Sequence, residues 1–390
     1  MTAVHQFVPM LHRSDAVGQH TLAVADRLRA AGADSAIFVE LEDPETAHLT
    51  RLAADYPAAA RPGDVLVYQF ATASALAPWL TGRPEPVVVN YHNVTPPALL
   101  APWDNGLARH QIEAQRELGL LAGQAVLGVA VSEFNRADLV AAGFARTAVV
   151  PPVVVLTAVT GSGPDASGGT DRPRGRGARW LAVGRLAPNK ALEDTLAALA
   201  AYRRRHDPEA TVAVIGRPVL AAYTSALHRW AADLGLADAV DFVGAVSEAR
   251  LAAAYRDADV LVVSSEHEGF CLPVVEAMAF DLPAVAYRQG AVPDVLGDAG
   301  VLVDDKDPVT VADAVARLQH DGTWRADRVA AGRRRLEVLG LDDAGPRLVE
   351  LLLEVASRPE AAPDGRPDDV RPDDVQPDDV QPDGIGEAER

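Results

Sequence analysis

Twice along this chain, short apolar runs of strand length alternate with stretches of helical periodicity, and a polar gap separates the two series. The first series comprises Val4–Val8, Ala36–Val39, Val65–Tyr68, Val87–Tyr91, Ala125–Val131 and Ala148–Val150. The second comprises Trp180–Val183, Thr211–Ile215, Val240–Val243, Val260–Val263, Ala284–Tyr287 and Val301–Val303. Such runs read as buried strands, and strands that alternate with helices pair in parallel. The pattern predicts an α/β chain with two doubly wound domains. At 390 residues and 48% hydrophobic, the chain is too long for one ordinary core and apolar enough for two.

The punctuation agrees with this division. Val17, Leu22, Val24 and Leu28 recur at helical spacing before Gly32, and Ser132 is placed to cap a helix that stops at Gly143. Pro218 suits a first helical turn, Gly235 a helix end and Ser247 a cap. Residues 157–177 are Gly, Ser, Pro, Asp and Arg with hardly any large apolar side chain, so they read as a linker between domains at 1–156 and 178–341. From 358 to 390 a proline returns every five residues through three pentapeptide repeats ending in Asp-Asp-Val, with eleven acids against four arginines. That composition predicts a disordered acidic tail rather than a packed element.

The net charge of −19 counts against nucleic acid as a partner. A lone cysteine, Cys271, excludes an internal disulfide and agrees with a reducing compartment. The first ten residues lack a basic and then apolar leader, and the longest apolar-leaning stretch, 119–131, is too short to span a bilayer. The expectation is a cytoplasmic protein without a transmembrane segment, with peripheral membrane contact left open.

Two motifs carry chemistry. Gly184-Arg185-Leu186-Ala187-Pro188-Asn189-Lys190 follows a strand and opens a helix, placing two cations and free backbone amides around a helix N-terminus, an anion site. Two positioned cations can replace a divalent metal on a leaving diphosphate. Downstream, Ser265-Glu266-His267-Glu268-Gly269-Phe270-Cys271-Leu272-Pro273 follows another strand, with Glu268 before a helix and Glu276 inside it. Gly269 lets backbone approach a ligand, the amides from Gly269 to Leu272 suit an anion or a sugar oxygen, and flanking carboxylates suit sugar hydroxyls.

With its G-R-L-x-x-x-K and E-x7-E motifs, the chain resembles glycosyltransferase family four, the glycosyl transferases group 1, whose fold is GT-B: two Rossmann-like domains facing across a cleft. The likeness runs through most of residues 1–350, including Gly244, Tyr255–Val260 and Gly290–Gly300, and excludes the linker and the tail. It implies retaining, metal-independent transfer of a hexose from a nucleotide-diphosphate sugar to a glycan, lipid-linked or small-molecule acceptor, with no separate cofactor. It further implies that Arg185 and Lys190 hold the diphosphate, Glu268 the donor sugar and Glu276 the ribose. Gly184, Gly216, Phe270, Cys271 and Leu272 join Gly269 in the donor site. It assigns the acceptor to the N-terminal domain and expects a last helix, about 342–356, to pack back on it.

His92, at the end of Val87–Tyr91, stands where open sheets bind ligands, and the resemblance places a histidine there near donor sugar and acceptor. Gly18 lies in a stretch that resembles the family's glycine-bearing loop. Two positions depart from the family: Asp294 replaces its usual Glu, and Arg217 follows Gly216 where a small or acidic residue is common. His12, His20 and His267 match no common zinc spacing, and Asp257-Ala258-Asp259 reads as a helix-to-strand junction rather than a metal-binding D-x-D. Alternatives from other classes are a GT-B isomerase or phosphorylase on a sugar phosphate, and a non-catalytic nucleotide-sugar-binding protein.

Overall fold

A computed structural model of the chain describes residues 3–13, 15–153 and 177–357. All but the last residue of the predicted linker, and the whole acidic tail, lie outside the described residues.

Two parallel sheets form. The first contains β1 (Val4–Val8), β2 (Ile37–Val39), β3 (Thr50–Leu52), β4 (Val65–Phe70), β5 (Val87–Tyr91), β6 (Ala125–Ala130) and β7 (Thr147–Val149), in the order β3-β2-β1-β4-β5-β6-β7. The second contains β8 (Arg179–Val183), β9 (Thr211–Ile215), β10 (Val240–Gly244), β11 (Val260–Val263), β12 (Ala284–Tyr287) and β13 (Val301–Val303), in the order β10-β9-β8-β11-β12-β13. Every pairing is parallel. In each sheet the strand order reverses beside the first strand, between β1 and β4 and between β8 and β11. Loops leaving the carboxyl ends of such neighbours diverge and open a crevice for a ligand.

The apolar runs become strands because they are buried on both faces. All four residues of β11 are buried, with the Trp180 cluster on one face and the Cys271 cluster on the other. β3 went unseen in the sequence because Thr50, Arg51 and Leu52 form a half-exposed edge strand with no apolar run. The caps stand as read: Ser132 Oγ accepts from the Asn135 N–H at 3.1 Å, and Gly143 ends that helix in the left-handed region at φ 99°. Pro218 is a correction, since the helix begins only at Ala221. Pro218 instead bridges to Leu186, and the amides of Leu186 and Val219 bond across this short extended pairing to Arg217 O and Leu186 O. A proline without an N–H fits that pairing as well as it fits a first turn.

The last described helix, Leu341–Ser357, lies on the N-terminal domain against the helix Ala16–Ala30, β1 and β4. Leu348, Leu352 and Val355 share a core there with Val4, Val67 and Val129. Among the described residues, no helix is long and apolar enough to cross a membrane.

Candidate functional site

The two motifs follow β8 and β11, the strands that flank the switch point of the second sheet, and this places them together. Pro188–Lys190 forms a 3-10 turn, and Ala191 at φ 45° then turns the chain into the helix Leu192–Arg205. The turn brings Lys190 Nζ to 2.6 Å from Glu268 Oε1, with the two side chains 16% and 9% exposed. An ion pair this shielded from water is strong only with good geometry, and removing one partner strands the other. An ammonium has three donors, so the contact with Glu268 leaves two for an anion. Asn189 knits the motifs together: its side chain donates to His267 O at 3.2 Å, and its carbonyl accepts from the Glu266 N–H at 2.9 Å.

Arg185 is exposed and its side chain makes no ion pair or hydrogen bond among the described residues, and the same holds for the side chain of Arg217. Both residues are open to solvent, on the loops that follow β8 and β9. Gly184 and Gly216 meet here, since a Cβ on Gly216 would lie 1.9 Å from Gly184 O and the residue sits at φ 152°. Only glycine permits that approach.

Gly269, Phe270, Cys271 and Leu272 form the turn into the helix Leu272–Ala279, with Cys271 in the left-handed region at φ 71°. The side chains of Phe270 and Cys271 are buried in the core beneath this turn. What they can offer a ligand is therefore backbone. Burial raises the Cys271 thiol, and the charges of Glu268, Lys190 and Glu276 all act on it, so the thiol marks the centre of this group. Glu276 is half-buried and accepts from the Tyr255 hydroxyl at 2.5 Å; burial raises its carboxyl above the ordinary range, and the Tyr255 bond opposes that.

The N-terminal domain meets this turn. Asn93, at φ 95°, accepts through Oδ1 from His267 Nε2 across the cleft at 2.8 Å, and the Phe134 and His267 rings meet edge to face at 5.5 Å. A Cβ on Gly269 would lie 2.6 Å from Asn93 Cβ and 2.9 Å from Asn135 Nδ2. His92, beside Asn93, is bonded through Nε2 to Gln69 Oε1 at 2.6 Å, and burial lowers its ring to about 4. Gly18 lies in the first turn of the helix Ala16–Ala30, where its N–H is already bonded to Asp15 Oδ1 at 2.7 Å. Two residues further along that helix, His20 packs edge-on against His92 at 4.8 Å. Among the described residues, no group of three or more His, Cys, Asp or Glu is placed to hold a metal ion.

Sequence reasoning gave no role to several groups that shape this region. Gly290 and Ala291 pin Glu268: the Ala291 N–H bonds to Glu268 O at 2.9 Å, and a Cβ on Gly290 would lie 2.6 Å from that oxygen. Asn135 is fully buried, yet neither polar atom of its side-chain amide has a hydrogen-bond partner among the described residues. Its place one turn inside a capped helix gives no local signal for that.

Two Rossmann-like parallel-sheet domains, with strand-end loops meeting between them, define the GT-B class of fold. Residues 173–335 match the family described as glycosyl transferases group 1. The D-inositol 3-phosphate glycosyltransferase of Thermomonospora curvata is 33% identical over 269 residues, 65% of this chain and 62% of that protein, so the match spans less than two thirds of the relative's length. Among solved structures, sucrose-phosphate synthase from Thermosynechococcus elongatus superposes with a TM-score of 0.74 at 19% identity, covering 92% of this chain and 100% of that one. Anabaena HepE in complex with UDP superposes with a TM-score of 0.67 at 17% identity, covering 90% and 100%. At these identities the two structures speak for the fold alone.

Proposed function

We propose that the protein is a retaining, metal-independent glycosyltransferase that moves a hexose from a nucleotide-diphosphate sugar to a glycan, lipid-linked or small-molecule acceptor. The observation that carries this reading is the meeting of Lys190 and Glu268 at 2.6 Å, with Arg185, of the same motif as Lys190, exposed and unpaired among the described residues. The bond from the sugar's anomeric carbon to the diphosphate breaks with its electron pair leaving on the phosphate, and Lys190 and Arg185 take up that charge in place of a metal. Glu268 accepts from donor-sugar hydroxyls and shares Lys190 with the phosphate. Glu276 holds the ribose, and the amides of the 269–272 turn complete the anion site. Gly184, Gly216 and Gly18 provide close backbone approach.

His92 faces the sugar and acceptor from the N-terminal domain. The acceptor hydroxyl enters on the face the diphosphate leaves and gives its proton to the departing phosphate oxygen, which retains the anomeric configuration. Residues 1–156 serve as the acceptor domain and 178–341 as the donor domain, and closure between them excludes water. The names of the relatives support sugar transfer, and the UDP bound to HepE supports a nucleotide donor.

The test is thermal stabilisation by UDP-, GDP-, ADP- and dTDP-sugars in EDTA, repeated with Lys190→Ala and Glu276→Ala. A shift selective for one nucleotide, lost in both variants, supports the donor site and names the base. No shift in a folded sample sinks it, and turnover that EDTA abolishes sinks metal independence.

A further inference from the structure

Beneath the carboxyl edge of the N-terminal sheet runs a row of polar side chains. Gln6 on β1, Gln69 on β4, Asn90 on β5 and His20 on the helix Ala16–Ala30 are at most 1% exposed, and His92 ends the row at the cleft. From the Thr21 carbonyl to His92 its hydrogen bonds run in one direction. The Thr21 carbonyl can only accept, so Gln6 turns Nε2 towards it, at 2.9 Å, and Oε1 away. That oxygen can only accept, so Gln69 turns Nε2 towards it, at 2.7 Å, and its own Oε1 towards the cleft. Gln69 Oε1 then takes one bond from Asn90 Nδ2 at 2.9 Å and faces His92 Nε2 at 2.6 Å. An amide oxygen at that distance requires a proton on the ring nitrogen.

We propose that Gln69, oriented by Gln6 and the Thr21 carbonyl, is a positioning residue that holds His92 as the Nε2–H tautomer, which leaves Nδ1 as a fixed acceptor for a substrate hydroxyl. Nδ1 bonds to no described residue and is not shut off from solvent. A lone pair there receives a hydroxyl and repels an unprotonated phosphate oxygen, so His92 sorts the sugar end of a ligand from its diphosphate end. Burial keeps the ring neutral, with its pKa lowered to about 4, so the acceptor persists across the neutral range. The row's direction stops at His20: the Val153 N–H, 2.9 Å from Nδ1, makes that nitrogen the acceptor and puts the ring proton on Nε2, which faces a second donor, Asn90 Nδ2, at 2.7 Å.

Only the identity of the bound hydroxyl rests on the glycosyltransferase reading; the tautomer does not. Long-range proton–nitrogen spectra of the nitrogen-15-labelled full chain at pH 7, with the His92 ring assigned by its loss in His92→Gln, read the tautomer directly. The expected result is Nε2–H as the single form in the wild type, a mixture of tautomers in Gln69→Met, and a fall of about tenfold in kcat/KM for the donor in that variant. A wild-type ring protonated on Nδ1, or a folded Gln69→Met with an unchanged His92 spectrum, overturns the proposal. The wild-type spectrum decides even if Gln69→Met does not fold. A correct tautomer in a protein inactive with every nucleotide sugar would refute the enzyme reading and leave this one standing.

Discussion

In the C-terminal domain the chemistry sits in two loops; in the N-terminal domain it is spread over three strands and a helix. Lys190 and Glu268 follow β8 and β11, neighbours in their sheet, so two local motifs meet as soon as those strands pair. Gln6, Gln69 and Asn90 instead contribute one side chain per strand to a row whose successive members are 63 and 21 residues apart. The first arrangement depends on loop geometry and concentrates charge. The second depends on strand register and contains no charge, because a buried amide is tolerated only when its neighbours complete its hydrogen bonds. The C-terminal half is therefore expected to lose function abruptly through one side chain, and the other half to lose alignment by degrees.

The largest expected effect tests that asymmetry. Lys190→Met should lower kcat/KM by about 10²–10³-fold, the scale of one charge-stabilising donor, against about tenfold for Gln69→Met. It should also destabilise the fold by about 1–3 kcal/mol, because Glu268 remains shielded without its partner. Adding Glu268→Gln should restore stability and leave turnover low, as measured by denaturant melts beside steady-state kinetics. A double variant that regains both would mean the pair is structural and the comparison misdrawn.

What could be read from the sequence follows the same line. β11, with four apolar residues in a row, was plain, and so were Gly184–Lys190 and Glu268–Glu276, because each motif is contiguous and has a local reason for its residue types. The pairing of Lys190 with Glu268 was not visible: 78 residues separate them, and only the strand order β8-β11 joins them. Gln6 and Gln69 lie within strands where a single polar residue gives no sign of its neighbours. Edge strand β3 was missed for the opposite reason, being too exposed to show an apolar run. Pro218 was misassigned because a residue without an N–H suits a first turn and a short bridge equally.

Two glycines sharpen the contrast between a contact across the cleft and one within a domain. Gly216→Ala puts a methyl 1.9 Å from Gly184 O, inside one domain and at φ 152°, so it should destabilise the C-terminal domain by about 2–4 kcal/mol. Gly269→Ala puts its methyl against Asn93 and Asn135 of the other domain, 2.6 and 2.9 Å away. The domains can part to relieve that, so melting should change little while the bond between His267 and Asn93 opens and kcat/KM falls about tenfold. Solution scattering should report a more open particle. If Gly269→Ala instead costs as much stability as Gly216→Ala, the two domains are one rigid block.

The smallest effect is the response to pH, and it belongs mainly to the N-terminal domain. Burial lowers His20 and His5 as well as His92, so these rings are uncharged when folded. The unfolded chain takes up their protons first, and stability is lost as pH falls below 6.5, through about 4 for His92. Glu117, on the helix Asn105–Ala122, runs the other way. Burial raises its carboxyl to about 7, which outweighs the lowering by the Ser74 N–H bonded to it at 3.0 Å. A folded pKa above the ordinary 4.5 means the unfolded chain releases this proton first, so stability is full below 4.5 and is lost as pH rises through about 7. Glu117→Gln keeps the shape without the ionisation and should raise the N-terminal melting point at pH 8 by roughly 2–4 °C. It should leave the point at pH 4.5 nearly unchanged. Calorimetric scans at both pH values decide it, and an equal shift at each would place the effect in packing rather than in a proton held by burial.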